Sequence, residues 1–315
     1  MRTFLVTGGA GFIGSHIVEA LVQRGDQVRV LDNLSTGSRE NLRAVEGAID
    51  FWEGDVADWD IVSQAVADVD CVFHQAALAS VPLSIEQPLE THRVCVTGTV
   101  TILHAAQQAR VRRVVYAASS SAYGNSTKPR KLETDLPDTV SPYAAAKLAG
   151  EWYCHAFHQT LGVETVVLRY FNVFGPRQDP DSPYSAVIPL FITDILRGEA
   201  PTIFGDGLQT RDFTHVDNVV YGNLLAADAP QAAGCTLNLA NGQSTSLLDL
   251  LQLLSQQLGR PVQPVHADAR PGDIRHSMAD ISAAENLLGY KPQVPLEAGL
   301  RQSIEYYREV LNNSS

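Results

Sequence analysis

Thr3-Phe4-Leu5-Val6-Thr7-Gly8-Gly9-Ala10-Gly11-Phe12-Ile13-Gly14 is the stretch from which the fold reads. A short apolar run meets glycines at positions 8, 11 and 14, and an amphipathic stretch follows. The glycines permit a tight turn and close backbone approach. The helix behind them offers free N–H groups and a positive dipole end, which together suit a pyrophosphate. Gly8, Gly11, Phe12, Ile13 and Gly14 are therefore the first expected dinucleotide contacts.

The next apolar run ends in Val30-Leu31-Asp32, and Asp32 lies 18 residues beyond Gly14, near the ~20-residue spacing at which an acidic side chain meets the adenosine ribose. Asp32 would accept from the ribose hydroxyls and repel a 2′-phosphate. No arginine stands beside it in Asp32-Asn33-Leu34-Ser35, so NAD is expected rather than NADP. Asn33, Ser35, Thr36 and Gly37 continue the expected cofactor wall. Asp55, followed by Val56 after the third strand, either binds adenine or starts a turn.

Farther out, β-branched or apolar runs alternate with amphipathic stretches up to about residue 170. Strands are expected over 3–7, 28–31, 49–53, 70–74, 113–118 and 163–168, and helices over 12–24, 58–67, 88–109 and 141–161. That alternation predicts an α/β fold, a doubly wound parallel Rossmann sheet. After Phe174 the turns Gly175-Pro176, Asp179-Pro180, Gly205-Asp206-Gly207 and Arg270-Pro271-Gly272 mark a smaller α/β substrate-binding lobe. The expected division is 1–174 and 175–315, with the chain crossing back to the first domain at 208–240.

The 315 residues carry 23 Lys and Arg against 35 Asp and Glu, a net charge of −12 that argues against a nucleic-acid surface. No apolar run approaches the ~20 residues of a membrane helix, and the start resembles no signal peptide. Cys71, Cys95, Cys154 and Cys235 are scattered, in neither metal-ligand nor redox pairs. A cytoplasmic enzyme without a metal site is expected, its cysteines used in packing.

Ser141-Pro142-Tyr143-Ala144-Ala145-Ala146-Lys147 opens a helix, which sets Tyr143 and Lys147 on one face at i and i+4. Ala118-Ser119-Ser120-Ser121-Ala122-Tyr123-Gly124 follows the fifth strand, at the sheet edge where α/β folds bind ligands. A phenol is a poor base at neutral pH unless something favours its phenolate. A neighbouring ammonium and a positive nicotinamide would both do so.

With these motifs the chain resembles the extended short-chain dehydrogenase/reductase family, and within it the nucleotide-sugar 4-epimerases, from Thr3 to about Tyr307. The resemblance implies catalysis by Ser119, Tyr143 and Lys147, with Ser119 four residues before Tyr123. It also implies cofactor contacts from Gln75, Ala76, Ala77 and Phe171. Cys95 departs from the asparagine usual there, in Cys95-Val96-Thr97-Gly98-Thr99.

In the second lobe Arg211, Arg270 and Arg275 stand in loop segments, and guanidinium forks suit a diphosphate. The resemblance assigns Arg211 and Arg270 to a nucleoside diphosphate, Asn172 to the diphosphate and sugar, and Ala186, Val187 and Ile188 to the uracil pocket. The stretches 74–82, 176–180 and 275–277 look closest to UDP-N-acetylglucosamine 4-epimerases, and the resemblance sets Ser80, Gln178, Asp273 and Ser277 at the substrate. A small Ser277 leaves open the space that an N-acetyl group needs.

The implied reaction is reversible inversion at C4 of a UDP-sugar through a transient 4-ketose, with NAD retained. A 4,6-dehydratase would carry an Asp-Glu pair where Ser120 and Ser121 stand, and a uronate decarboxylase a similarly placed Glu. A net dehydrogenase would release its cofactor, and an NAD-sensing scaffold would not need both Tyr143 and Lys147. The resemblance further implies a homodimer through helices 88–109 and 141–161.

Overall fold

Both faces of β1 (Thr3–Thr7) are covered, and Phe4, Leu5 and Val6 are wholly inaccessible to solvent, as a central strand of a parallel sheet requires. The computed structural model describes residues 1–180, 186–269 and 274–313. From β1 the chain runs through α1 (Phe12–Gln23) and β2 (Gln27–Asp32) to β3 (Ile49–Glu53) at one edge. It then crosses by α2 (Trp59–Ala65) to β4 (Cys71–His74) on the other side of β1. Next come α3 (Val81–Glu86), α4 (Pro88–His92), α5 (Gly98–Gln108), β5 (Arg113–Ser119), α6 (Pro142–Leu161) and β6 (Glu164–Tyr170).

The later chain forms β7 (Val173–Phe174), α7 (Val187–Arg197), β8 (Thr202–Phe204), β9 (Thr210–Arg211), β10 (Thr214–His215), α8 (Val216–Asp228) and β11 (Thr236–Leu239). It ends with β12 (Thr245–Ser246), α9 (Leu247–Leu258), β13 (Val265–Ala267), α10 (Ser282–Leu288) and α11 (Leu296–Asn313). The main sheet has the order β11-β6-β5-β4-β1-β2-β3 and is parallel throughout, a doubly wound Rossmann sheet. Winding proceeds outward from β1 in both directions, so a crevice opens beyond the carboxyl ends of β1 and β4.

On one face of the sheet Ile17, Val18 and Leu21 of α1 share a core with Val219 of α8 and Leu288 of α10. On the other face Ile102 and Leu103 of α5 pack with Leu5, Val72 and Val167. A separate core of Phe191, Ile192, Leu250, Leu254, Leu300 and Tyr307 joins α7, α9 and α11. None of the helices among the described residues is long and apolar enough to cross a membrane.

The six expected strands are present, and the sheet has a seventh, β11, that the sequence did not suggest. Its four residues include a central Asn238, which breaks the apolar run. Asn238 is nevertheless fully buried, accepting from Tyr123 Oη (2.6 Å) and donating to the Lys131 and Asp280 carbonyls (2.9 and 3.1 Å). The helix expected over 88–109 is also not uniform. A π turn at Arg93–Thr97 separates α4 from α5; there the Gly98 N–H reaches back five residues to the Arg93 carbonyl, and the Thr99 hydroxyl donates to the Cys95 carbonyl (2.7 Å).

By contrast, the local sequence of α6 accounts for both its ends. Ser141 Oγ accepts from the Ala144 N–H (3.1 Å), Pro142 occupies the first turn, and Gly162 closes the helix at φ 70°.

Candidate active site

The glycine turn leaves β1 with Gly8 at φ 66°, its N–H bonded to the Leu31 carbonyl (2.8 Å). A Cβ at Gly8 would lie 2.7 Å from the Ala76 backbone nitrogen, and one at Gly14 would run into the Gly8 carbonyl. Glycine is thus required by contact with the chain itself. No side chain caps the start of α1, whose N-cap is Gly11. Its first-turn N–H groups face a cavity of about 760 Å³ lined by Gly8, Gly11, Phe12, Ile13 and Gly14. The cradle fits a dinucleotide diphosphate.

Asp32 closes the next part of the wall, together with Asn33, Ser35, Thr36 and Gly37. Its carboxylate accepts from the Ala10 and Leu34 N–H groups (2.9 and 2.8 Å), and burial raises its pKa while those two bonds lower it. Each oxygen keeps a lone pair for a hydroxyl. At Gly54 and Val56 the cavity wall continues, with Asp55 between them. Its carboxylate takes Arg93 Nη2 (2.9 Å), Asn33 Nδ2 (3.1 Å) and the Ala57 N–H (2.8 Å), and Arg93 holds its pKa below the usual range. Asp55 here is a turn former and an ion-pair partner.

Gln75, Ala76 and Ala77 line the cavity at the end of β4. Behind them Tyr170 Oη donates toward Gln75 Oε1 (3.2 Å) and Asn223 Oδ1 (3.0 Å). Tyr170 is itself in the wall, and neither it nor Asn223 was singled out from the sequence. A phenol at the carboxyl end of β6 was the available signal. Phe171, expected at the cofactor, instead packs wholly buried with Tyr123, Ala240 and Ala279. Cys95 is also buried, against Val96, Ala146 and Ala77.

Tyr143 and Lys147 share the cavity wall with Ala117 and Ala118 of β5. Burial pushes the Tyr143 phenol up to about 12, Cys95 adds to the rise, and a hydrogen bond with the Ser119 side chain lowers it. Burial lowers the Lys147 pKa, opposed by Cys95, Glu151 and Cys154. The lysine ammonium donates to the Ala117 carbonyl (2.8 Å). Ser119 ends β5, and its hydroxyl also accepts from the Ser121 N–H (3.1 Å).

The second lobe reaches the same cavity through Gln178, Asp179 and Ala186, and Ser80 faces it from the start of α3. Gln178 Nε2 bonds the Val173 carbonyl (3.3 Å), and its Oε1 is a buried acceptor with no protein partner among the described residues. Val187 starts α7, but Ile188 is turned into the lobe core with Phe191 and Ile192, because the apolar face of α7 points there. Asn172 follows β6 at φ 32° and bonds the Thr214 N–H through its carbonyl (3.2 Å). Arg211 donates to the Thr210 and Ile274 carbonyls (2.8 and 2.6 Å), and Arg275 forms a two-pronged pair with Asp206 (2.8 and 2.9 Å). Ser277, 8% exposed, is tied through its N–H to the Thr210 carbonyl. Arg270 and Asp273 lie outside the described residues.

Residues 4–240 match the NAD dependent epimerase/dehydratase family. The UDP-glucose 4-epimerase of Mycolicibacterium smegmatis is 37% identical over 312 residues, 98% of this chain and 99% of the relative. The structure of UDP-N-acetylglucosamine 4-epimerase from Methanobrevibacter ruminantium, in complex with UDP-N-acetylmuramic acid, superposes with TM-score 0.94 at 39% identity, covering 98% and 99% of the two chains. That of UDP-glucuronic acid 4-epimerase from Bacillus cereus, in complex with UDP-glucuronic acid and NAD, gives 0.91 at 32% identity over the same shares. With a glycine cradle, an acidic strand end and a Ser-Tyr-Lys cluster around one crevice, the chain belongs to the NAD dependent epimerase/dehydratase family.

Proposed function

We propose that the protein is a UDP-sugar 4-epimerase, interconverting UDP-GlcNAc and UDP-GalNAc and, with the same groups, UDP-Glc and UDP-Gal. The observation that carries this reading is the meeting of Tyr143 and Lys147 with the glycine turn and Asp32 in one cavity, with Ser119 at the end of the neighbouring β5. NAD, held by the glycine turn and Asp32, supplies reversible uptake of a hydride from C4 of the sugar and its return. Tyr143 takes the proton of the 4-hydroxyl and later gives one back, and the transient 4-ketose presents its other face between the two events. Ser119 favours the phenolate by donating to it. Lys147 keeps two of its three N–H donors beyond Ala117 for the nicotinamide ribose.

Ser120 and Ser121 occupy the places where a dehydratase or decarboxylase would carry its extra acid, which favours epimerisation. Ser277, small and beside β9, leaves room for an N-acetyl arm without requiring one. Gln178, with its unmet Oε1, is a candidate sugar contact. The same reading pairs two copies through α4, α5 and α6, in keeping with Leu89 at 86% and Trp152 at 60% exposure. Sedimentation at the mass of one chain would reject that pairing.

Purified protein incubated separately with UDP-GlcNAc, UDP-Glc and UDP-GlcA should convert the first to its 4-epimer, resolved by chromatography. No interconversion of any of the three refutes the assignment, and stoichiometric NADH accumulation points to a dehydrogenase instead.

A further inference from the structure

Lys147 poses an electrostatic problem. Its side chain is 3% exposed, and no carboxylate of the described residues pairs with its ammonium. A buried cation without compensation is costly and tends to lose its proton. The Ala117 carbonyl supplies one acceptor. The other compensating surface is aromatic: Nζ stands 5.1 Å from the ring centroid of Tyr116, on β5.

Tyr116 is fixed from three sides. Its hydroxyl donates to the backbone carbonyl of Lys147 itself (3.2 Å). That close approach to α6 is possible because residue 150 is glycine, where a Cβ would run into the Tyr116 hydroxyl. Against the ring, tilted to it, lies His74, 5.7 Å between centroids, held between Thr7 Oγ1 (2.7 Å) and Thr99 Oγ1 (3.0 Å). Burial and the Lys147 charge depress His74 to about 3, so the ring has both a neutral neighbour and a cation beside it.

We infer that Tyr116 is a positioning residue for Lys147: its ring face holds the ammonium charged and its hydroxyl fixes the helix turn that carries it. This rests on Lys147 and Tyr143 being the working pair of the site. A cation over a desolvated aromatic face is stabilised by the ring quadrupole, and β5 then sets both the height and the charge of the lysine. The other groups acting with Lys147 are Glu151 and Cys154 on α6, Cys95 on the π turn and His74 on β4, while Tyr143 acts on the Tyr116 ring and shares the cavity wall with Lys147. None of them changes when only the ring at 116 is altered.

The chain has four lysines, Lys128, Lys131, Lys147 and Lys291, so protein labelled with ¹³Cε-lysine gives a readable set of resonances, and Lys147→Met assigns the one of interest. In the NAD-loaded enzyme, Tyr116→Phe should leave the Lys147 titration midpoint in place, because the ring remains. Fluorinated phenylalanines at 116 keep the shape while draining the ring face. They should lower the midpoint stepwise with fluorine number, by about one pH unit for the fully fluorinated ring, a tenfold change equal to about 1.4 kcal/mol. Tyr116→Leu should lower it at least as far. The alkaline limb of turnover should move down with it, while KM for UDP-GlcNAc stays within about twofold. A midpoint that ignores fluorination overturns the inference. Retained turnover in Tyr143→Phe would instead overturn the reading of the site, and the lysine titration would still stand.

Discussion

Glu151 and Arg169 form a buried pair whose disruption should divide sharply by variant. Glu151 lies on α6, two turns beyond Tyr143, and Arg169 on β6; their side chains are 3% and 5% exposed. Arg169 Nε bonds both carboxylate oxygens (3.0 and 3.2 Å), and Nη2 bonds one of them (2.8 Å). The guanidinium also stacks over the Tyr123 ring at 4.8 Å, while Nη1 is buried without a partner among the described residues. Arg169→Met removes the cation and leaves a carboxylate in a nearly dry site, which should cost about 3–5 kcal/mol. Arg169→Met with Glu151→Leu removes both charges and the unmet donor and keeps similar volume. Its stability should fall within about 1 kcal/mol of the natural protein or exceed it. Urea unfolding of the four members of the cycle, compared at a common slope, measures both numbers. A single variant costing under about 1 kcal/mol, or a double variant as unstable as the single, would refute the reasoning.

Tyr143→Phe should lower turnover by about 10³-fold or more while leaving bound NAD intact, since only the proton-carrying atom is removed; absorbance of the released cofactor and product chromatography check both halves. Gly14→Ala should fail to retain NAD through gel filtration, because a methyl there meets the Gly8 carbonyl, and an unchanged cofactor content would disprove the cradle. His74 titrates near 3 in the folded chain against 6.5 ordinarily, so between those values the unfolded chain binds more protons and stability falls as pH falls. His74→Gln removes that dependence, so its stability relative to the natural protein should rise on acidification by up to about 1.4 kcal/mol per pH unit. A difference independent of pH from 7 to 4 would contradict the buried neutral imidazole.

The parts of the site that could be read from the sequence are those whose geometry is local. Glycines at 8, 11 and 14 with Asp32 at the next strand end define a turn and its neighbour, and Tyr143 with Lys147 needs only a helix. What escaped depends on partners far along the chain. Asp55 is tied to Arg93, 38 positions on. Tyr170 gains its place through Asn223, and Ile188 faces inward because α7 has a lobe core to cover. Phe171 likewise answers to Ala240 and Ala279. β11 was hidden for the same reason: an asparagine at the middle of four residues becomes a strand only when β6 is there to pair with.

The order in which the chain emerges during synthesis gives β11 a further consequence. β6 is complete at Tyr170, but its outer edge is covered only by Thr236–Leu239, after β7 to β10, α7 and α8 have been made. Until then an apolar strand presents unpaired N–H and C=O groups to any other chain. A fragment ending at 174 would carry that open edge permanently and lack α8 from one face of its sheet. It should therefore collect in the insoluble fraction on expression, whereas the full chain closes the edge and restores α8 and α10.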